Sequence, residues 1–328
     1  MAGKNTVSWS ELSTWCECRQ KWYWNYEVGI VPIRVSRPPT LGACVHVGLA
    51  AAMKGIAWEV EMDTWKQKES EKRQLFDEDI ELFNEILQTA KIIVAGYVQH
   101  YLDDWIPIVV EQKFDAVIPD IGVKLIGYWD SIVQTKDGQT WVLEHKCPKI
   151  FRSEDMIDLD GQILTYQYAA LRSGYPVVGT IYDQLLAKVP SIPTLNKNGT
   201  MSRSAINTTW EVYEKTLLEN GINPAEYDDM RMKLADNTFF KRMYIYRSQE
   251  HVKAYSKELA KKIWDMRRKK KHIYKSESIF NCGKCPYAEL CLEQARGRDT
   301  SYIVENNFQP KPTREDDVSN GSNEGTEA

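Results

Sequence analysis

Apolar residues recur at helical spacing near the start of this chain. Over residues 8–26, Leu12, Trp15, Trp22 and Tyr26 fall near one side, and Ser10 is placed to cap the helix they predict. A loop rich in Pro and Arg (31–39) separates it from a short apolar helix at 40–53. The stretch 65–105 is again helical in period and predicts two helices with Leu75, Ile80, Phe83 and Leu87 on an inner stripe. The pattern then changes: 109–118, 123–134 and 140–147 read as strands, the last two joined by a turn at Lys136-Asp137-Gly138. A helix at 160–171 ends at Ser173-Gly174, and a fourth strand follows at 177–188. Residues 190–208 carry Pro, Asn, Ser and Gly without a period and read as a mobile loop. Beyond it, 211–233 is mixed helical, 240–247 a further strand and 249–271 a helix. From about Glu305 the chain turns rich in Asn, Gly, Glu and Asp and reads as a disordered acidic tail.

A length of 328 residues at 43% hydrophobic composition suffices for one large core or two small ones. The formal net charge of −4 excludes a surface coated in positive charge, so any contact with nucleic acid has to be local, in a groove or patch. No apolar leader follows the first residues. The longest apolar run, 41–53, is too short to span a bilayer and contains His46. A cytoplasmic protein with no membrane partner is expected. In that reducing setting the seven cysteines point to a metal rather than to disulfides. The absence of a Gly-rich loop ending in Gly-Lys-Ser/Thr excludes an NTP-driven motor of that kind.

Candidate chemistry gathers on the predicted strands. Gly127-Tyr128-Trp129-Asp130 is followed, after the turn, by Trp141-Val142-Leu143-Glu144-His145-Lys146. Residues two apart on a strand share a face, so Glu144 and Lys146 project together with His145 turned away, and a hairpin partner can bring Asp130 beside them. Two carboxylates and an ammonium on one face suit a hard divalent cation and the phosphate it polarises. Gln162 and Tyr166 stand four apart on the next helix, a spacing that alone is usually a solvated or half-buried helix face. A lone imidazole in an apolar helix, such as His46, is more often a hydrogen-bonded core residue than a ligand. Glu111, on the first strand, reads as a supporting acid or an ordinary ion-pair partner and stays outside the core set.

Together, His46, the Gly-aromatic-aromatic-Asp strand, Glu144-x-Lys146 and Gln162-x-x-x-Tyr166 resemble the PD-(D/E)XK nuclease superfamily, and within it the RecB-type branch, over residues 41–171. The resemblance implies an α/β fold with a restriction-endonuclease-like core (αβββαβ, mixed central sheet). It implies Mg²⁺ or Mn²⁺ held by His46, Asp130, Glu144 and the main-chain carbonyl of His145. Lys146 would orient or help deprotonate the attacking water and offset charge on the phosphate. Gln162 and Tyr166 would help bind the DNA strand and frame the active site.

Cys282-Gly283-Lys284-Cys285-Pro286 with Cys291 forms C-x2-C-x5-C, and three such thiols need a fourth ligand to close a tetrahedral or cubane site. Cys16 and Cys18 are the candidates. Ser10-Glu11-Leu12 and Trp15 resemble the family's opening helix, whose register selects Cys18. Arg19 stands where the family has Pro, which keeps Cys16 open. One cysteine early and three late is the arrangement of RecB-type nucleases with a [4Fe-4S] cluster, among them CRISPR-associated and bacteriophage exonucleases. Structural Zn²⁺ is the alternative. Either would staple the two chain ends, adding stability rather than chemistry. Cys44 and Cys147 read as buried core thiols. The basic run 261–272 reads as a solvated helix face or a phosphate-tracking patch.

The expected organisation is an N-terminal helix with one cluster cysteine (1–40), a nuclease core (41–190), a loop and helical insertion (191–248), a basic helix with the iron–sulfur triad (249–304) and the tail (305–328). The resemblance implies a metal-dependent DNA exonuclease acting on DNA ends or single strands in a bacterial or phage-infected cell. Its settings would be recombination, repair, phage DNA processing or CRISPR spacer trimming, with recombination or CRISPR adaptation proteins as partners. The alternative is a catalytically silent DNA-binding or assembly protein on the same fold, against which intact Asp130, Glu144 and Lys146 weigh. The oligomeric state is not legible.

Overall fold

The structure, a computed structural model, describes residues 5–72, 77–204, 207–269 and 272–312. Strand β1 (Thr6–Ser8) runs into helix α1 (Trp9–Glu17), whose cap is Ser8 and not Ser10. Ser8 is extended at the end of β1, so its hydroxyl can accept from the Glu11 N–H at 3.1 Å, while Ser10 already lies in the first turn. The helix expected to reach residue 26 breaks at Cys18, which is extended with φ −159°. It resumes as α2 (Arg19–Trp22) and a π-helical turn, Tyr23–Val28, that Gly29 ends at φ +74°.

Next come β2 (Ile30–Pro32), α3 (Arg37–Met53), α4 (Trp58–Glu71) and α5 (Asp77–Tyr101). Phe83 and Leu87 are buried on α5 as expected, but Ile80 is 44% exposed. The buried stripe runs through Asp79 and Phe83, four apart, which turns Ile80 outward; Leu75 lies outside the described residues. Strands β3 (Trp105–Ile118), β4 (Val123–Thr135) and β5 (Thr140–Lys146) lead to α6 (Glu154–Asp158), α7 (Gly161–Arg172) and β6 (Val177–Leu185). The chain continues through α8 (Trp210–Glu219), α9 (Asp228–Leu234), β7 (Phe240–Tyr246), α10 (Gln249–Lys269), α11 (Ile279–Cys282), α12 (Ala288–Ala295), α13 (Ser301–Asn307) and β8 (Phe308–Pro310).

Two compact units result. The larger comprises Ser36–Val117 and Ile126–Ser256. Its sheet runs β4-β5-β6-β7, with β3 also on β4. Pairing is antiparallel for β4/β5 and β6/β7 and parallel for β5/β6, where α7 makes the crossover. This is a mixed α/β sheet of the expected kind, and β5 is buried on both faces from Thr140 to His145, as a central strand is. The described residues of the segment 190–208, namely 190–204 and 207–208, are irregular but anchored, which corrects the expectation of a mobile loop. Ser191 and Ser202 donate their N–H groups to the carbonyls of Asn207 and Thr194, and Met201 is buried with Tyr213, Leu217 and Tyr227.

The smaller unit combines, among the described residues, those up to Val35, the hairpin tip Ile118–Leu125 and those from Lys257 onward. In it β2 pairs antiparallel with β8, and Trp24, Tyr287, Leu290 and Phe308 form a buried cluster. The tail expected from Glu305 therefore starts too early: Glu305 belongs to α13, and Phe308 stacks on Tyr287 at 5.4 Å. Residues 313–328 lie outside the described residues. No helix among the described residues is long and apolar enough to cross a membrane.

Candidate active site

The antiparallel register of β4 and β5 sets Ser131 opposite Leu143 and so brings Asp130 level with Glu144 and His145. The His145 N–H donates to Asp130 Oδ2 at 2.8 Å. Lys146 Nζ donates to Glu144 Oε1, the two side chains sharing a face as their spacing requires. Helix α7 adds Gln162, which accepts from Lys146 Nζ through Oε1 at 3.0 Å and donates from Nε2 to Glu144 Oε1 at 3.0 Å. The helix is aimed by its cap, Asp160, which accepts from the Gln162 N–H at 2.9 Å. One turn on, the ring of Tyr166 packs edge-on to Phe114 at 5.5 Å, and its carbonyl accepts from Trp129 Nε1 at 3.2 Å. Phe114 lies against Gly127, where a Cβ would come within 2.5 Å of its ring. That contact explains the glycine opening the Gly127-Tyr128-Trp129-Asp130 motif.

Helix α3 places His46 Nδ1 3.2 Å from Asp130 Oδ1. His46, Asp130 and Glu111 each offer a ligand atom within 4.8 Å of the other two, the only such group of three among the described residues. Glu111, left outside the core set by sequence reasoning, enters because β3 is irregular there. Its φ of +50° is the only positive value at a non-glycine position among the described residues. Burial alternates on one phase from Trp105 and on the opposite phase from Phe114, as when an extra residue bulges a strand and re-aims a side chain. Nothing in the neighbouring sequence announces this.

Glu144 stands outside the group of three. Its Oε1 is taken by Lys146 and Gln162, whereas Oε2 is buried with no hydrogen-bond partner. Buried polar atoms are as a rule paired, so this oxygen is open to a metal ion or a water. One imidazole and several carboxylates form a donor set that fits Mg²⁺ or Mn²⁺, the nitrogen favouring Mn²⁺.

Burial opposes charge on His46, but the adjacent Asp130 outweighs it and pushes the imidazole up to about 9. Burial also disfavours the Asp130 carboxylate, yet the charge on His46 and the bonds from His145 and His46 hold it below the usual range. Glu144 moves the opposite way: burial pushes it up, Lys146 offsets this in part, and Asp130 adds to the push. Lys146 remains cationic, because Glu144 and Asp130 outweigh its burial. Burial, then the Glu144 charge, push the Tyr166 phenol up, so it keeps its proton. The site thus sets apart two carboxylates of unlike acidity and holds a permanent cation beside them.

The cysteine set lies in the smaller unit. Cys18, at the break between α1 and α2, accepts the Ser276 N–H on Sγ at 3.4 Å. Burial raises the Cys285 thiol, with Cys18 and Cys282 adding to it; burial likewise raises Cys291, with Cys285 and Cys18 adding. These four thiols therefore lie within electrostatic reach of their neighbours, while the charged neighbours of Cys16 are Lys262, Asp265 and Arg19. No three cysteine sulfurs among the described residues lie within 4.8 Å of one another. In the larger unit Cys44 is buried, but Cys147, expected in the core, is only half-buried because it falls just past the end of β5. On α10, Lys269 pairs with Asp265 and Arg268 lies over Trp264; Lys270 and Lys271 lie outside the described residues.

The family model of the PD-(D/E)XK nuclease superfamily matches residues 6–292 of the chain. No curated protein matches it.

Proposed function

This chain belongs to the PD-(D/E)XK nuclease superfamily, and we propose that within it the protein is a RecB-type deoxyribonuclease, working as an exonuclease on DNA ends or single strands. Membership makes it a metal-dependent nuclease. The observation that carries the metal-site reading is Glu144, tied through Oε1 to Lys146 and Gln162 and left with a buried, unpaired Oε2 beside the His46, Asp130 and Glu111 group. In this reading His46, Asp130, Glu111, Glu144 and the His145 carbonyl hold Mg²⁺ or Mn²⁺. When bound, the ion supplies Lewis-acid polarisation of the scissile phosphate. Lys146, cationic and steadied by Gln162, orients the attacking water and offsets the charge that builds on the phosphate. Tyr166, holding its proton, donates a hydrogen bond to the bound strand.

The cysteines extend the reading. Cys18, Cys282, Cys285 and Cys291 would hold a [4Fe-4S] cluster, with structural Zn²⁺ the alternative; burial raises the Cys285 and Cys291 thiols, and Cys18 adds to the rise of both. Recombination, repair, phage DNA processing or CRISPR spacer trimming would be the setting, with the corresponding proteins as partners. The test is digestion of 5′- and 3′-labelled single-stranded and duplex DNA with Mg²⁺ or Mn²⁺. Short products released from one labelled end are expected. Internal cuts in circular single strands would refute the exonuclease assignment, and uncut DNA under every condition would leave the catalytically silent reading.

A further inference from the structure

Behind β5, away from Glu144 and Lys146, runs a chain of buried polar groups that this chemistry does not use. It begins at His145, whose side chain is 3% exposed and whose Nε2 lies 3.0 Å from Tyr97 Oη on α5. Tyr97 donates its hydroxyl to Asp183 Oδ2 at 2.6 Å. Asp183, also 3% exposed, stands opposite His145 in the parallel pairing of β5 and β6. Strand β7 then sets Arg242 opposite Asp183. Arg242 Nε donates to Oδ1 and Nη2 to Oδ2, both at 2.8 Å, and Nη1 reaches Asp104. The guanidinium lies over the rings of Trp105 and Tyr101 at 4.0 and 4.3 Å.

Hydrogens in this chain can run in one direction only. A guanidinium carries donors alone, and a carboxylate only accepts. Asp183 therefore takes the single phenolic proton of Tyr97. The Tyr97 oxygen has only lone pairs left, one for the second Arg242 donor at 3.5 Å and one for His145. His145 must then donate from Nε2. Its ring orientation and protonated nitrogen are thus set from β6 and β7, and the same residue's N–H holds Asp130 Oδ2.

We propose that Tyr97, Asp183 and Arg242 are positioning residues for the metal site, holding His145 as an Nε2–H donor and through it fixing Asp130 and the His145 carbonyl. Burying so many polar and charged groups is no gain in stability over apolar packing; orientation of a ligand-bearing segment is what such a network supplies and apolar residues cannot. The kinetic consequence rests on the nuclease reading, but the tautomer and metal-affinity consequences do not.

The test is Tyr97→Phe, which keeps the ring and removes only its oxygen. In nitrogen-correlated NMR of metal-free, ¹⁵N-labelled protein, the wild type should show His145 protonated at Nε2, and Tyr97→Phe should lose that signature. Mn²⁺ affinity, read by electron paramagnetic resonance, should weaken about 10–100-fold, and kcat should fall with KM for DNA unchanged. If Tyr97→Phe does not fold, Asp183→Asn gives an independent reading. Its amide can donate to Tyr97, which lets the phenol donate to His145 and moves the proton to Nδ1. Wild-type His145 protonated at Nδ1 alone, or folded Tyr97→Phe with wild-type Mn²⁺ affinity, would overturn the proposal. A protein that binds Mn²⁺ and shows the expected tautomer change yet cuts no DNA would remove the nuclease reading and leave this one standing.

Discussion

Loading the candidate site with Mn²⁺ should release protons, and the release should govern how affinity depends on pH. Without metal, His46 keeps its proton up to about 9 because Asp130 lies 3.2 Å away. A metal ion takes the neutral imidazole. At pH 7 the ion has to displace a proton from a group about two units below its pKa; at about 1.36 kcal/mol per unit this opposes binding by about 2.7 kcal/mol, roughly a hundredfold in apparent Kd. A raised pKa makes the penalty largest in acid, smaller as pH climbs toward 9 and absent above it. Apparent Kd should therefore tighten about tenfold per unit between pH 6 and 8. Glu144, also pushed up by burial, adds a second proton at the acid end and steepens the slope there. Calorimetric titration of Mn²⁺ in buffers of different ionisation enthalpy measures the proton count directly, with about one proton per ion expected at pH 8. His46→Gln should bind more weakly at pH 8 but with a flatter dependence. A Kd constant from pH 6 to 8, with heats independent of buffer, would refute the assignment of His46 as a ligand.

Other substitutions probe separate parts of the argument. Lys146→Ala should bind DNA as before yet lose roughly 10²–10³ in single-turnover rate; full activity in the folded variant would remove Lys146 from the chemistry. Gly127→Ala would bring a Cβ within 2.5 Å of Phe114, so urea unfolding should show about 1–3 kcal/mol of lost stability, and an unchanged midpoint would mean that Phe114 has room to yield. Cys18→Ala should bleach a broad visible absorbance and lower Tm, whereas Cys16→Ala should do neither; stoichiometric zinc in colourless, anaerobically prepared protein would sink the cluster assignment.

The elements that carry the candidate site are legible because local chemistry agrees with them. Gly138, at φ +86°, turns β4 into β5, Asp160 caps α7, and Gly174, at φ +88°, ends the stretch after it. Three-dimensional context decides the rest. Glu111 reaches its place through an irregular backbone in β3 that its neighbours Val110 and Gln112 do not encode in any local pattern. Phe308 looks like the end of structure until Tyr287 and β2 are beside it. Tyr97 reads as one more residue of the apolar stripe on α5, and Asp183 and Arg242 as ordinary strand residues. Their connection is visible only when β5, β6 and β7 lie side by side.

The hydrogen bond from Tyr287 to the Ile30 carbonyl joins residues 257 apart in the chain. At a synthesis rate of about 5–20 residues per second, Ile30 is made about 13–50 s before its partner. The larger unit is complete at Ser256, so its last residue precedes Tyr287 by only roughly 1.5–6 s. Until Tyr287, Leu290 and Phe308 emerge, β2 is an unpaired edge and Trp24 lacks the other three members of its cluster, which are the exposed edge and apolar surface that chaperones shield. Cys18 waits likewise for Cys282, Cys285 and Cys291. A chain stalled between Ser256 and Cys282 would thus carry every residue of the candidate active site while its cysteine set still had one member from the start of the chain and none of the other three.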